Sequence, residues 1–445
     1  METPIADFVR EYERKNMSRL HMPGHKGKGA FGCEKFDITE VEGADALYEA
    51  DGIIAESERN AALLFGTERT VFSCEGSSQC IRAMVYLALT NSTAGGSRLI
   101  LAARNVHKSF VYACALADAE VKWLYPDDAS NSICSCHVSA KTLENTLSSL
   151  KEPPAAVYIT SPSYLGEQAD IALLADVCHR YGTVLIVDNA HGAYLHFLKN
   201  PVHPIDLGAD MCCDSAHKTL NSITGTAYLH VSKNAPVSFA ENARNAMAIF
   251  GSTSPSYLML VSLDMLNRYL SNEYTVQLNA FVNRIAAAKT ELVNNGWRIL
   301  KSDPLRITVE MPLNLNGRYM ASVLREFGVE CEYADIDHLV LMTTPNNDPA
   351  DIGKAVAAFG FNKHPYLPKK PLNPVVCAKK MSLRQAVFST HETVDVNSSI
   401  GRVCASPTVS CPPAIPIAVS GEVINISAAE LFKYYGIGKV DVVKE

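Results

Sequence analysis

Asp210-Met-Cys-Cys-Asp-Ser-Ala-His-Lys-Thr-Leu220 is the stretch on which the reading of this chain turns. Its first half is a short apolar strand, and its second half sets Ser215, His217 and Lys218 just beyond the strand end. Thirty residues before that lysine, a second apolar run, Thr183-Val-Leu-Ile-Val-Asp-Asn-Ala-His-Gly192, ends on Asp188. A lysine amine can form a Schiff base, and a carboxylate can hold a proton on a pyridine nitrogen so that the ring accepts electrons. Together the two are the pair that a pyridoxal 5'-phosphate (PLP) enzyme needs. Either one alone is commonly a solvated loop residue, so the residues around them decide.

Working outward, strand-like and helix-like segments alternate. Strands are expected over 70–74, 99–103, 155–160, 183–187, 210–213 and 226–231. Helices are expected over 79–89, 107–118 and 171–181. Short apolar runs separated by helical patterns predict a mostly parallel sheet covered on both faces. Ligands of such sheets collect at the carboxyl ends of the strands, where Asp188 and Lys218 fall. After about residue 263 the pattern changes to a long helix over 276–295 and strand-like regions over 297–311 and 328–342. The segment 363–374 is rich in Pro and Lys and reads as a linker.

The bounds are ordinary for a globular enzyme. The chain has 445 residues, 47% hydrophobic and 20% charged, with a formal net charge of −7. That length implies two or three domains. The charge gives no sign of nucleic-acid binding, and no apolar run of about 18 residues predicts a membrane span. The first fifteen residues lack the pattern of a secretory leader. Thirteen cysteines, many inside apolar runs, read as reduced thiols of a cytoplasmic protein. Cys134-Ser-Cys-His137 has no second half at zinc-site spacing, so no metal is expected.

Other strand ends carry polar groups suited to a phosphorylated, flat cofactor. Cys74-Glu-Gly-Ser-Ser-Gln79 lies between a strand and a helix, so Gly76, Ser77 and Ser78 offer close backbone approach and hydroxyls at a helix N-terminus. An N-cap serine would look the same. Arg104-Asn-Val-His-Lys108 sets His107 where it could stack on a ring or lie at the surface. Ser215 and His217 could reach a phosphate.

In this order the motifs resemble the Orn/Lys/Arg decarboxylase family over nearly the whole chain. His21-Met-Pro-Gly-His-Lys-Gly27 is similar to its N-terminal signature, and Asp37-Ile-Thr-Glu40 with Gly43-Ala-Asp-Ala-Leu47 to the segment that follows. Gly76-Ser-Ser78, Asn105-Val-His-Lys-Ser109, Thr160-Ser-Pro-Ser-Tyr164, Asp188-Asn-Ala-His-Gly192 and Ser215-Ala-His-Lys218 continue the match. Ser252-Thr-Ser-Pro-Ser256 and the tail Pro412-Pro-Ala-Ile-Pro416 with Gly421-Glu422 complete it. The chain departs from the family at Cys411 and Ala414, where an aromatic and a glycine are usual. Ser420 replaces a common proline, and Ser77 and Ser163 replace threonines.

The resemblance implies a PLP-dependent, aspartate aminotransferase-like fold of type I, α/β in class. It implies an N-terminal arm (1–35), a PLP-binding large domain (36–275), a smaller α/β domain (276–365) and a C-terminal α+β decarboxylase domain (366–445). By resemblance Lys218 anchors the cofactor, Asp188 meets the pyridine nitrogen and His107 stacks on the ring. Ala190 and His191 lie at the ring's other face. Ser77, Ser78, Ser215 and His217 bind the phosphate, with Gly76 beside them. Thr253 or Ser254 reaches the phosphate of a neighbouring subunit, and Glu422 lies near the distal charge of the substrate. The implied reaction is decarboxylation of a basic amino acid, arginine ahead of lysine or ornithine, in a homodimer or tetramer with shared sites. The wing of the large ring-forming members is not expected here.

Overall fold

The computed structural model describes residues 1–91, 96–127, 132–362, 367, 375–407 and 413–445. The expected linker over 363–374 falls outside them except at Leu367, as do Cys411 and Pro412.

Seven strands form the central sheet: β1 (Arg69–Ser73), β2 (Leu99–Ala103), β3 (Glu120–Leu124), β4 (Ala156–Thr160), β5 (Val184–Asp188), β6 (Met211–Asp214) and β7 (Ala227–Val231). Their order is β1-β7-β6-β5-β4-β2-β3. The sequence suggests a mostly parallel sheet, and from β3 to β6 the strands are parallel. β7 runs antiparallel to both β1 and β6, a reversal that apolar patterning does not encode. β5 reads Val-Leu-Ile-Val-Asp and is buried at every position, because helices cover both faces.

On one face Ile100, Tyr158, Ile186 and Met211 pack under the helices Ser77–Asn91, Lys108–Ala117 and Val237–Ile249. On the other, Leu101, Val157, Leu185 and Val187 pack under Ala140–Ser148 and Ile171–Arg180. The last of these starts where Asp170 accepts the Leu173 N–H at 3.2 Å. It stops at Tyr181-Gly182, where Gly182 takes φ +67°. These are the side-chain N-cap and left-handed C-terminal stop that close a helix locally.

A four-stranded antiparallel sheet follows, with β8 (Arg298–Ile299), β9 (Arg306–Glu310), β10 (Tyr333–Ala334) and β11 (His338–Met342) in the order β10-β11-β9-β8. The strand-like region 297–311 is thus two strands joined by a loop. β12 (His391–Asp395) and β13 (Lys439–Val443) pair antiparallel near the C-terminus. Among the described residues no helix is long and apolar enough to cross a membrane.

Register positions the site. Thr160 lies opposite Asp188, and Asp188 opposite Cys213, so β4, β5 and β6 end level and release their chains on the same side.

Candidate active site

Beyond those level strand ends is a cavity of about 250 Å³. Gly76, Ser77, Ser78, His107, Asp188, Ala190, His191, Ser215, His217 and Lys218 all line it. The structure therefore brings together every cofactor residue expected from the sequence except Thr253 and Ser254.

Lys218 stands in the one-turn helix Ala216–Thr219, and its Nζ lies 2.9 Å from His191 Nε2. Burial holds the Lys218 amine below its ordinary pKa against the opposing charge of Asp188. Burial and the adjacent Lys218 hold His191 well below the ordinary imidazole value. A neutral imidazole beside an amine whose charge is disfavoured by burial is an arrangement that favours the nucleophilic form of a lysine.

Asp188 is buried, and each of its oxygens is spoken for. Oδ2 accepts from Tyr158 O–H at 3.1 Å, while Oδ1 accepts from Ala190 N–H at 3.2 Å and from the Cys213 thiol at 3.6 Å. Those donors fix a negative charge at the cavity wall.

The opposite end of the cavity is built for an anion. Gly76 has φ +70°, a left-handed turn that favours glycine, and it precedes the fifteen-residue helix Ser77–Asn91. The dipole and free N–H groups of that helix point at the cavity end. Ser215 O–H donates to Ser77 Oγ at 2.9 Å, and Ser78 Oγ lies 2.8 Å from Ser109 Oγ.

His107 caps the helix Lys108–Ala117, its Nδ1 accepting the Ser109 N–H at 3.1 Å. Burial lowers its pKa to about 4, so the ring is neutral near pH 7 and free to present a flat face. His217 Nδ1–H donates to the Thr226 carbonyl at 2.9 Å, which leaves Nε2 toward the cavity. Burial lowers its pKa too.

The remaining expected residues are elsewhere. Thr253 and Ser254 are exposed, in a loop whose Ser252 N–H donates to Oε1 of Glu75, the residue before Gly76. Glu422 is buried, 3.4 Å from Arg104 NH2, and its Oε2 accepts the Val419 N–H at 2.8 Å. It lines a separate cavity of about 320 Å³ with Trp123, Tyr125 and Cys377. Within this chain the structure does not bring Glu422 to the Lys218 cavity. His25, from the N-terminal signature, lies at Asp37 Oδ2, 3.2 Å away, and not in the cavity.

The cavity also has walls that went unassigned. Thr160, Pro162 and Tyr164 border it, and so do Pro413, Ala414 and Ile415 from the C-terminal segment. Tyr164 O–H donates to Glu332 Oε1 at 2.6 Å, which puts an exposed carboxylate behind a cavity residue. Arg306, 1% exposed, donates to the Tyr164 carbonyl at 3.0 Å and braces the same turn. The Ser-Pro after a strand hinted at that turn. Nothing local marked Glu332 or Arg306 as neighbours of Tyr164, which lies more than 140 residues from each.

Gly192 is a steric requirement of this site. A Cβ there would lie 2.0 Å from Asn189 Oδ1 and 2.8 Å from Pro162 Cδ. Gly192→Ala is expected to cost about 1–3 kcal/mol by overpacking. Thermal melts of the two proteins check this, and an unchanged midpoint would show that the turn can yield.

Residues 3–316 match the family model for the major domain of Orn/Lys/Arg decarboxylases. The chain belongs to this family. It is a family of PLP-dependent amino acid decarboxylases, and basic amino acid decarboxylation is the activity it supports. The arginine decarboxylase of Bacillus subtilis (strain 168) is 28% identical over 460 residues, covering 95% of this chain and 91% of the relative. The solved lysine decarboxylase A of Pseudomonas aeruginosa shares the fold with a TM-score of 0.82 at 16% identity, covering 99% of this chain and 80% of that one. A solved SPT holding PLP as an internal aldimine shares it at a TM-score of 0.56 and 15% identity, covering 80% of this chain and 82% of that one. The expected α/β, type I fold is the one observed.

Proposed function

We propose that this protein removes the α-carboxylate of a basic amino acid as CO2, arginine ahead of lysine or ornithine, with PLP held on Lys218. The observation that carries the reading is convergence: the Lys218 amine, the Asp188 carboxylate and the N-terminus of Ser77–Asn91 line one cavity. These groups fit PLP, since its aldehyde would find an amine, its pyridine nitrogen a carboxylate and its phosphate a helix N-terminus with hydroxyls. Bound PLP supplies an electron sink for the pair released when a Cα–carboxylate bond breaks.

The chain's own residues do the rest. Lys218, with its lowered pKa, offers the nucleophilic nitrogen that holds the cofactor. Asp188 keeps a fixed negative charge where the pyridine N–H must be retained. His107 presents a neutral ring to one face, with Ala190 and His191 on the other side. Ser77, Ser78, Ser215 and His217 receive the phosphate. A bound dianion favours protonated His217, which then donates through Nε2 as well as Nδ1. Lys218 or His217 returns a proton to the reacting carbon.

Arginine is put first because the B. subtilis relative is named an arginine decarboxylase. The distal cation needs a carboxylate, and Glu422 is already paired with Arg104 in this chain. Glu332 is the alternative, because Tyr164, which lines the Lys218 cavity, donates to it, although Glu332 itself lines a neighbouring cavity of about 530 Å³. Glu332→Gln is expected to raise KM for arginine about two- to fivefold with kcat little changed, as loss of a partly screened ion pair does. Glu422→Gln should instead lower thermal stability and leave KM near native. Steady-state kinetics on both variants separate the two carboxylates, and the opposite pattern would return the role to Glu422.

The reading extends to a cytoplasmic homodimer or tetramer. Free thiols at all twelve described cysteines support a reducing compartment. Leu20 at 95% exposure and Phe31 at 91%, both in the N-terminal arm, support burial against a second copy that Thr253 and Ser254 also face. The deciding experiment is a CO2-release panel over arginine, lysine and ornithine with PLP-loaded protein. Keto-acid product would make the protein an aminotransferase, and no product from any of the three would leave a PLP-binding protein without turnover.

A further inference from the structure

Among the described residues, one group of three side chains has metal-ligating chemistry: His203, Asp214 and His230, all buried in the core. Asp214 lies one residue before Ser215, where β6 runs out. Its Oδ2 accepts from His203 Nε2 at 3.0 Å and lies 3.2 Å from His230 Nε2. Its Oδ1 accepts from Asn189 Nδ2 at 2.6 Å. Asn189 is the residue between Asp188 and Ala190.

The proton positions follow from the partners. Ile205 N–H donates to His203 Nδ1 at 3.4 Å, so His203 carries its proton on Nε2 and gives it to Asp214. His230 Nδ1 bonds Thr70 Oγ1 at 2.8 Å, which leaves its Nε2 facing the same carboxylate. Burial pushes the Asp214 carboxyl up, but the two histidines outweigh it and hold the group below the usual carboxylate range. A metal is a poor fit to this arrangement. The separations are hydrogen-bond lengths, and His203 Nε2 has no lone pair to offer.

What the cluster brackets is a divergence. The last backbone bond between the two chains is Asn189 N–H to the Cys213 carbonyl, 3.0 Å. Past it, one chain turns into Ala190 and His191 while the other becomes Ser215 to Lys218. The Asn189–Asp214 side-chain bond ties them across the gap, directly behind the cavity. Asp188 and His191 depend from one side of the tie, Ser215 and Lys218 from the other.

We propose that Asp214 is a positioning residue: braced by His203 and His230, it sets through Asn189 the distance between the Asp188 turn and the Lys218 helix, and so the span that the cofactor must bridge. The proposal rests on the reading of Lys218 as the PLP anchor. A purely structural role would affect melting alone. A positioning role must also affect how well PLP is gripped and how the bound cofactor titrates.

The test is a PLP titration of apo-protein, followed by visible absorbance, on the native chain and on Asp214→Asn, Asn189→Ala and Thr70→Val. The pH midpoint of the visible band and the apo melting temperature are read in parallel. Asp214→Asn and Asn189→Ala are expected to weaken PLP binding about tenfold or more and to move the midpoint, as loss of a supporting partner does at other ligand sites. Thr70→Val, at the far end of the network, should lower melting only. Asn189→Ala keeps the carboxylate and both histidines, so it reads the tie even if Asp214→Asn fails to fold. PLP affinity within about twofold of native in Asn189→Ala, with the midpoint unmoved, overturns the proposal. So does one equivalent of zinc bound to the native protein and lost in Asp214→Asn. A native protein that binds no PLP overturns the reading of Lys218 instead.

Discussion

Lys218→Ala is expected to abolish decarboxylation together with the visible band of the Lys218–PLP imine, with a rate loss on the order of 10⁴-fold or more, as removal of a covalent nucleophile costs other enzymes. The size follows from the site. Lys218 supplies the amine that faces Asp188's charge across the cavity, and its Nζ contacts His191 at 2.9 Å. Alanine leaves no side-chain nitrogen there. His191 cannot substitute, because an imidazole is not a primary amine and forms no imine with an aldehyde. PLP should still associate through the phosphate seat, which alanine leaves intact. Absorbance spectra and CO2 release on one preparation check both halves. Native-rate turnover by this variant would end the assignment.

Asp188→Asn is expected to lower kcat on the order of 10²–10³-fold, the range seen when one preorganised electrostatic partner is removed. An amide cannot hold a proton on the pyridine nitrogen by charge. It also turns one oxygen into a donor where Tyr158 O–H, Ala190 N–H and the Cys213 thiol all need acceptors. A mispaired buried donor costs about 1–3 kcal/mol, so the melting temperature should fall as well. PLP affinity should fall less than kcat, since the phosphate seat is untouched. Single-turnover kinetics at saturating PLP isolate the chemical effect. A kcat within a factor of about three of native would place the pyridine nitrogen elsewhere.

What was legible in the sequence and what was not divides along chain distance. β5 and β6 could be read because each is an apolar run ending in a charged residue, so Asp188 and Lys218 declared themselves. Ser77 and His107 were legible for the same reason, lying between a strand and its following helix. The reversed direction of β7 was not legible, because an apolar five-residue strand looks alike in either direction. The place of Glu422 was not legible either, for a physical reason. A buried carboxylate needs a counter-charge, and Arg104, 318 residues away in sequence, provides it. Glu332 reaches the cavity only through Tyr164, a contact that exists once two sheets have packed. Asp214 stood inside the stretch that decided the fold, yet its two histidines are brought to it by β7 and by the segment before β6.

The segment at 413–415 has a consequence for how the protein is made. Arg104 holds that segment by donating to the Pro416 and Ile417 carbonyls at 2.9 Å each, and Lys108 N–H donates to the Ala414 carbonyl at 2.9 Å. A wall of the site is thus supplied by residues far downstream of Lys218, and it is added only after the Lys218 region has emerged and begun to fold. A nascent or prematurely terminated chain can possess the lysine, the aspartate and the phosphate seat and still have a breached pocket. Competence to grip substrate therefore waits until residues 413–417 have docked on the fold that the earlier strands make.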